Sequence, residues 1–247
     1  MTQAPQIITP EGGFHNADLH RSRERLLKGS TYRDLSTVCI VPTRGMVPVR
    51  VLQSWLGLMA PMNQKFIRLF MTNMEVGDAY EQGVAYVLSH PDLCQWKYLL
   101  TLEEDNMPPP DGLLKLYEAI EGKVDGQKYG AVGGLYWTKG EGGQPMIYGD
   151  PAAMPLNFIP QIPKPDTTHH CNGLGMGFTL FRMSMLADAR MTRPLFKTEQ
   201  SYMPGVGSKA YTQDLYFFEK AAGWGYRFAC DTRVKVGHYD HAADMVW

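Results

Sequence analysis

The strongest constraint on this chain is an alternation of short apolar runs and helical patterns that starts at Thr37. Thr37–Val41 is apolar and rich in β-branched residues, and Pro42-Thr43-Arg44-Gly45 stops it. Pro48 opens a helix in which Val51, Leu52, Trp55, Leu56 and Met59 recur at helical spacing. Phe66–Met71 predicts a second strand ending at Thr72-Asn73. Asp78, with Glu81 three residues on, predicts a capped helix whose buried stripe is Tyr80, Val84, Val87 and Leu88. Lys97–Leu102 predicts a third strand. After Pro108-Pro109-Pro110, Asp111 caps a helix with Leu113, Leu114, Tyr117 and Ile120 on one face, and Tyr129–Gly133 predicts a fourth strand. Strand–helix repeats of this length make an α/β chain with a largely parallel sheet. Ligands of such sheets gather at the carboxyl ends of the strands. Three of those ends are polar here: Thr43-Arg44, Thr72-Asn73 and Glu103-Glu104-Asp105.

The pattern fails from Trp137 to Thr168, a stretch with six prolines and four glycines. So long an irregular segment in a compact domain is usually a functional loop. Phe178–Arg182 resumes as a strand. A second loop, Arg193–Tyr211, precedes a helix from about Gln213 to Ala222, and strand-like runs Tyr226–Cys230 and Val234–Val236 lead to Gly237-His238. With no repeat or clear linker, residues 35–247 read as one domain behind a polar extension, 1–34, in which Ala17–Lys28 predicts a short helix bearing Arg21, Arg23, Arg25 and Lys28.

An apolar content of 44% over 247 residues excludes wholesale disorder. Lysine and arginine number 24 against 25 acidic residues, so no electrostatic case exists for tight non-specific duplex binding. No apolar run reaches the roughly 18 residues of a membrane span, and Met1–Ser30 has no signal-like stretch. A cytoplasmic protein without stable membrane insertion is expected. Cys39, Cys94, Cys171 and Cys230 are widely spaced and form no C-x-x-C pair, which argues against a disulfide scaffold or a zinc ribbon.

Chemistry concentrates at Leu99-Leu100-Thr101-Leu102-Glu103-Glu104-Asp105, where an apolar strand delivers three carboxylates to its exposed end. Like charges this close repel, and a bound cation or a neighbouring base relieves them. Hard ions such as Mg²⁺ or Mn²⁺ prefer oxygen ligands and leave positions open for phosphate oxygens. An acidic turn that caps nearby structure is the competing reading. Asp214, in the first turn of its helix, reads as a general base or as a carboxylate that stabilises a helix N-terminus. His238 reads as a metal ligand or as a satisfied histidine. In His169-His170-Cys171 adjacent residues of an extended segment point opposite ways, so the three do not readily face one ion. Gly173-x-Gly175-x-Gly177 precedes a strand rather than opening a helix, which argues against a dinucleotide fingerprint and for close backbone approach to a ligand.

In their order and spacing these pieces resemble the GT-A class of glycosyltransferases, most closely small family-2-like enzymes of bacterial and phage genomes. The resemblance spans roughly Thr37 to Tyr239. It rests on Val41-Pro42-Thr43-Arg44; Leu102-Glu103-Glu104-Asp105 followed by prolines; Gly173-Leu174-Gly175-Met176-Gly177-Phe178; Thr212-Gln213-Asp214-Leu215 leading into Phe217-Phe218-Glu219-Lys220-Ala221; and Gly223-Trp224-Gly225-Tyr226 with Val236-Gly237-His238. It implies a single GT-A domain with a mixed central sheet, a Rossmann-like nucleotide-sugar-binding half at 35–136 and an acceptor-side half at 137–247.

The function it implies is transfer of a sugar from a nucleotide-sugar donor to an acceptor hydroxyl, dependent on Mn²⁺ or Mg²⁺ and inverting. By position, Asp105 matches the last residue of the metal-holding D-x-D motif, with Glu103 where aspartate is usual, and His238 completes the metal shell. Pro42, Thr43, Arg44, Asn73, Glu103 and Glu104, joined by Glu75, match the nucleotide-sugar side. Asp214 matches the base, although Gln213 stands where an acidic residue is usual. Trp137, Asn172 and Gly173 fall to the acceptor. That acceptor is a glycan, a small molecule or a hydroxymethylated base in phage DNA, and Trp137, Tyr148, Phe158 and Tyr202 are aromatic surfaces suited to any of them. Two rivals remain. A sugar-nucleotidyltransferase needs a glycine-rich phosphate loop where Pro42–Pro48 has one glycine and two prolines. A non-catalytic nucleotide-sugar-binding module sits badly with the set Asp105, Asp214 and His238.

Overall fold

The computed structural model describes residues 6–8, 33–203 and 207–247. The helix expected at Ala17–Lys28 lies outside the described residues. One mixed sheet of eight strands organises the rest. Across it the order is Gln6–Ile8, Phe66–Thr72, Thr37–Thr43, Tyr98–Leu102, Phe178–Arg182, Ala131–Leu135, Phe228–Lys235 and Thr168–Cys171. Phe66–Thr72, Thr37–Thr43 and Tyr98–Leu102 pair in parallel, the arrangement expected of strands joined by helices. Gln6–Ile8 adds an antiparallel edge to Phe66–Thr72, so part of the N-terminal stretch joins the domain.

The expected fourth strand, Ala131–Leu135, does not neighbour the third. Phe178–Arg182 inserts between them, antiparallel to both, with its first four residues buried. The sheet is therefore mixed rather than largely parallel. Residues of Thr37–Thr43 alternate between its two faces. Val38 and Ile40 enter one core, with Leu69, Val84, Phe217 and Phe218. Cys39 and Val41 enter the other, with Trp55, Leu100, Leu113 and Tyr117.

Helices cover these faces with some differences from the periodic reading. Helix Val49–Gly57 buries only Val51 and Trp55; Leu52 and Leu56 face outward, and Met59 lies beyond its end. Helix Val76–Ser89 buries Tyr80, Val84 and Val87 as expected, but its cap is Glu75, whose carboxylate accepts from the backbone N–H groups of Gly77 and Asp78. Helix Gly112–Ile120 buries Leu113, Leu116, Tyr117, Ala119 and Ile120, leaving Leu114 half-buried. The two runs after Gln213–Gly223 are one strand, Phe228–Lys235. The second loop is largely a hairpin of Glu199–Met203 against Gly207–Tyr211.

No helix among the described residues is long and apolar enough to cross a membrane. Cys39, Cys171 and Cys230 are buried and all four thiols are free.

Candidate active site

The acidic end of Tyr98–Leu102 is held from both sides. Trp55 Nε1 donates to the carbonyl of Asn106 at 2.9 Å, and Ser54 Oγ donates to that of Pro108 at 2.8 Å, so helix Val49–Gly57 fixes the turn from beneath. Asn106-Met107 then pairs antiparallel with Gly237-His238, His238 opposite Asn106, and Tyr239 N–H donates to Asp105 O at 2.7 Å. This short ladder carries the end of the chain to the carboxylates. It brings His238 Nε2 to 3.5 Å from Asp105 Oδ2.

His238 Nδ1 lies 2.7 Å from the carbonyl oxygen of Trp137. A carbonyl can only accept, so Nδ1 carries the hydrogen and Nε2 of the neutral ring is the lone-pair nitrogen. The same Oδ2 of Asp105 also receives Lys139 Nζ at 2.5 Å. Burial works to raise the Asp105 pKa, but the hydrogen bonds and charges of His238 and Lys139 outweigh it and hold the carboxyl down to about 2. An ionised carboxylate and an imidazole nitrogen with a held tautomer suit a hard divalent cation whose remaining positions go to water and phosphate oxygens. Among the described residues no three of His, Cys, Asp and Glu come together as a complete cage. The donor set fits a cation shared with a ligand.

A cleft of about 450 Å³ opens beside this pair, lined by Arg44, Glu104, Asp105, Lys139, Tyr239 and the Met46–Val49 segment, among others. Its floor is self-tied: Glu104 accepts from Thr43 Oγ1 at 2.7 Å, from Arg44 N–H at 2.8 Å and from the Arg44 guanidinium. Pro42 is buried inside its strand, paired opposite Met71, and does not line the cleft. Asn73, in a left-handed conformation at φ 59°, is exposed but also outside the lining. Glu75 is committed to capping its helix and to Thr198 Oγ1 at 2.9 Å.

Glu103 turns inward. Tyr80 Oη donates to its Oε1 at 2.9 Å. Burial first, then the charge of Asp105, pushes its pKa up to about 7, and the charge of Asp214 adds to this. Glu103 thus feels both the metal-ligand candidate and the base candidate. Asp214, 5% exposed at the start of Gln213–Gly223, has its carboxyl raised by burial. It accepts from Leu215 N–H at 2.9 Å and from Thr212 Oγ1, both on Oδ1. Its charge also raises the pKa of Tyr80, Tyr136 and Tyr148, and the charge of Glu103 raises the first two as well, so base candidate and acidic turn act on shared tyrosines.

On the acceptor side, Trp137 is half-buried and holds His238 through its carbonyl. Asn172 and Gly173 are interior. Asn172 Nδ2 donates to the carbonyls of Asp150 and Asn157, and Gly173 packs so closely on Phe158 that a Cβ would lie 3.0 Å from its ring. Both therefore pin the irregular loop instead of forming a free surface. Gly175 and Gly177 allow close approach, but to protein: a Cβ would lie 2.2 Å from Tyr136 Oη and 2.4 Å from Asn106 Oδ1. The expectation of a ligand against these glycines is corrected. His169 and His170 bond to different partners, Gln161 for one and Tyr129 with Asp125 for the other, while Cys171 is buried. The side chain of Tyr202 lies outside the described residues.

The sequence marks neither Lys139 nor Tyr136, and it marks Tyr80 only as part of a buried stripe, not as a partner of Glu103. Lys139 is a lone lysine among glycines, and the two tyrosines lie in ordinary apolar stripes, so no local signal separates them from surface or core.

No family model matches the chain, and no curated protein matches it. Solved structures do. A197 from STIV is 18% identical, with 86% of this chain and 93% of that chain covered at a TM-score of 0.57. GalNAc-T7, crystallised with UDP, GalNAc and Mn²⁺, is 10% identical over 83% of this chain and 44% of its own, at 0.53. This chain therefore spans less than half of GalNAc-T7. S. aureus TarS 1–349 matches more distantly, at 12% identity, 81% and 60% coverage and 0.43. The first two show the architecture: the chain has a GT-A type fold, a single α/β domain with a mixed central sheet.

Proposed function

We propose that this protein is a glycosyltransferase that moves a sugar from a nucleotide-sugar donor to an acceptor hydroxyl, with a divalent metal and with inversion. The observation that carries the reading is the meeting of Asp105, which lines the cleft, with His238 in a GT-A type fold, the charge of Asp214 acting on the adjacent Glu103. The co-crystallised UDP, GalNAc and Mn²⁺ of GalNAc-T7 support the donor and metal class.

Asp105 Oδ2 and His238 Nε2 would hold Mn²⁺ or Mg²⁺. When bound, the cation supplies positive charge against the diphosphate leaving group. The cleft binds the nucleotide, with Arg44, 85% exposed at its side chain, as an added cation at the rim and Glu104 holding the Thr43-Arg44 turn in shape. Asp214 takes the proton of the attacking hydroxyl. Burial that raises its pKa makes it a stronger base than a solvated carboxylate, and the bonds to Oδ1 leave Oδ2 for the proton. Trp137 contributes the acceptor-side surface, and Asn172 and Gly173 act by fixing the loop behind it. The acceptor is a glycan, a small molecule or a hydroxymethylated base.

A panel of nucleotide-sugars read by thermal shift with Mn²⁺, followed by an acceptor screen that includes hydroxymethyl-pyrimidine DNA, tests this. Stabilisation by one donor and transfer of its sugar are expected. A panel with no stabilising donor overturns the reading, and donor binding without either transfer or donor hydrolysis reduces the protein to a binding module.

A further inference from the structure

Two cationic or metal-ligating groups converge on a single oxygen. Asp105 Oδ2 lies 2.5 Å from Lys139 Nζ and 3.5 Å from His238 Nε2. The ammonium therefore stands against the carboxylate oxygen that faces His238. Lys139 reaches it from a tight hairpin in the irregular loop. Trp137 and Pro145 form a bridge, Thr138 N–H donates to Gln144 O at 2.9 Å, and Gly143 N–H donates to Gly140 O at 3.1 Å. The strands of this hairpin approach closely, since a Cβ at Gly143 would lie 2.4 Å from Thr138 O. Its tip is open: Gly140 and Gly142 have positive φ and nothing near their Cβ positions. The Lys139 side chain is 31% exposed, lines the cleft together with Arg44, and also influences Asp240 on the strand of His238. A lysine stem is flexible and its ammonium is a compact charge that can change partner without moving the backbone.

We propose that Lys139 couples metal loading to binding of the donor's diphosphate. With the cleft empty its ammonium neutralises Asp105 and competes with a divalent cation. A diphosphate in the cleft draws the ammonium to its own oxygens and frees Asp105 Oδ2 for the metal. The inference rests on the proposed metal-dependent reading, and adds a residue that governs the order of assembly. Coupling of this kind is reciprocal: whatever diphosphate adds to metal affinity, metal adds to diphosphate affinity.

The test uses Mn²⁺ and inorganic pyrophosphate on the whole chain, with bound Mn²⁺ read by electron paramagnetic resonance and pyrophosphate by calorimetry. Lys139→Met removes the competing charge. It should bind Mn²⁺ alone about tenfold tighter than wild type, within the usual range of site coupling. With saturating pyrophosphate the two proteins should bind Mn²⁺ alike, since Lys139 has then left Asp105 in the wild type. Pyrophosphate binding at saturating Mn²⁺ should be weaker in Lys139→Met and kept in Lys139→Arg. Equal Mn²⁺ affinity of wild type and Lys139→Met without pyrophosphate overturns the proposal while leaving the metal reading intact. So does a tightening that persists unchanged with pyrophosphate, because Lys139 would then be a fixed charge. If neither protein binds Mn²⁺ under any of these conditions, the metal reading itself fails and takes the coupling with it. Unchanged thermal midpoints of the variants confirm that the fold is retained.

Discussion

His238 presents Nε2 to Asp105 Oδ2 at 3.5 Å while its Nδ1 is held by the carbonyl of Trp137. Three separate segments build this relationship. The strand end supplies the carboxylate, the irregular loop supplies the carbonyl that selects the tautomer, and the Asn106–His238 register supplies the ring. Each half of the chain alone lacks a partner for the other's group.

Metal dependence follows first. Chelation should abolish transfer, and Asp105→Asn should remove most activity, since it loses the ionised oxygen while keeping the shape. His238→Ala removes one ligand and should raise the Mn²⁺ concentration needed for half-maximal activity. Full turnover in excess chelator excludes the metal role, and an unchanged Mn²⁺ titration of His238→Ala makes the histidine structural.

The glycine-rich turn gives a stability prediction. At Gly177 a Cβ would lie 2.4 Å from Asn106 Oδ1 and 2.5 Å from its Cγ, and Asn106 is fully buried. Gly177→Ala should cost about 1–3 kcal/mol of unfolding free energy, the range for overpacking a closed interior. Gly223→Ala, where a Cβ meets nothing within 4 Å, is the control and should stay near wild type in chemical denaturation.

What was legible depended on the range of the determinant. The strands Thr37–Thr43, Phe66–Thr72 and Tyr98–Leu102 follow from local β-branched and apolar runs, and their carboxyl ends follow from the polar residues that stop them. The insertion of Phe178–Arg182 beside Tyr98–Leu102 is a choice between distant partners, and nothing in either segment encodes it. The stripe on Val49–Gly57 has the right period, yet only Val51 and Trp55 reach the core and Leu52 and Leu56 stay exposed. Glu75 displaced Asp78 as a cap because the helix starts at Val76, three residues earlier than its apolar period suggests. At Gly173, Gly175 and Gly177 the need for space was readable, but its occupant was not. Phe158, Tyr136 and Asn106 fill it from other parts of the chain.

Cys171 should be dispensable for chemistry. Burial raises its thiol above the ordinary range, so the nucleophilic thiolate is scarce at neutral pH. Cys171→Ala should retain turnover. A loss beyond about a hundredfold, roughly 2.7 kcal/mol of barrier, would restore a thiol role to the His169–Cys171 segment.

Asp214→Asn should separate activity from stability. Asparagine keeps an oxygen for Leu215 N–H but cannot take a proton, so kcat should fall by about 10² to 10⁴ with donor affinity near wild type. Stability should move the other way. Burial raises the folded carboxyl above its ordinary value of 3.8. The folded state therefore keeps its proton at pH values where the unfolded chain has lost it. This contribution is fully present below about the unfolded value and is lost as pH rises through the folded one. To act as a base Asp214 must be ionised at the working pH, and the wild type then carries a buried charge that the variant lacks. Asp214→Asn should thus melt at or above the wild-type temperature near neutrality, with the gap closing in acid. A variant that melts lower at neutral pH would mean that the ionised carboxylate stabilises the helix N-terminus more than burial disfavours it. The stereochemical outcome checks the role independently: proton NMR of the product should show inversion at the anomeric carbon. Retention would remove Asp214 as the base of a single displacement.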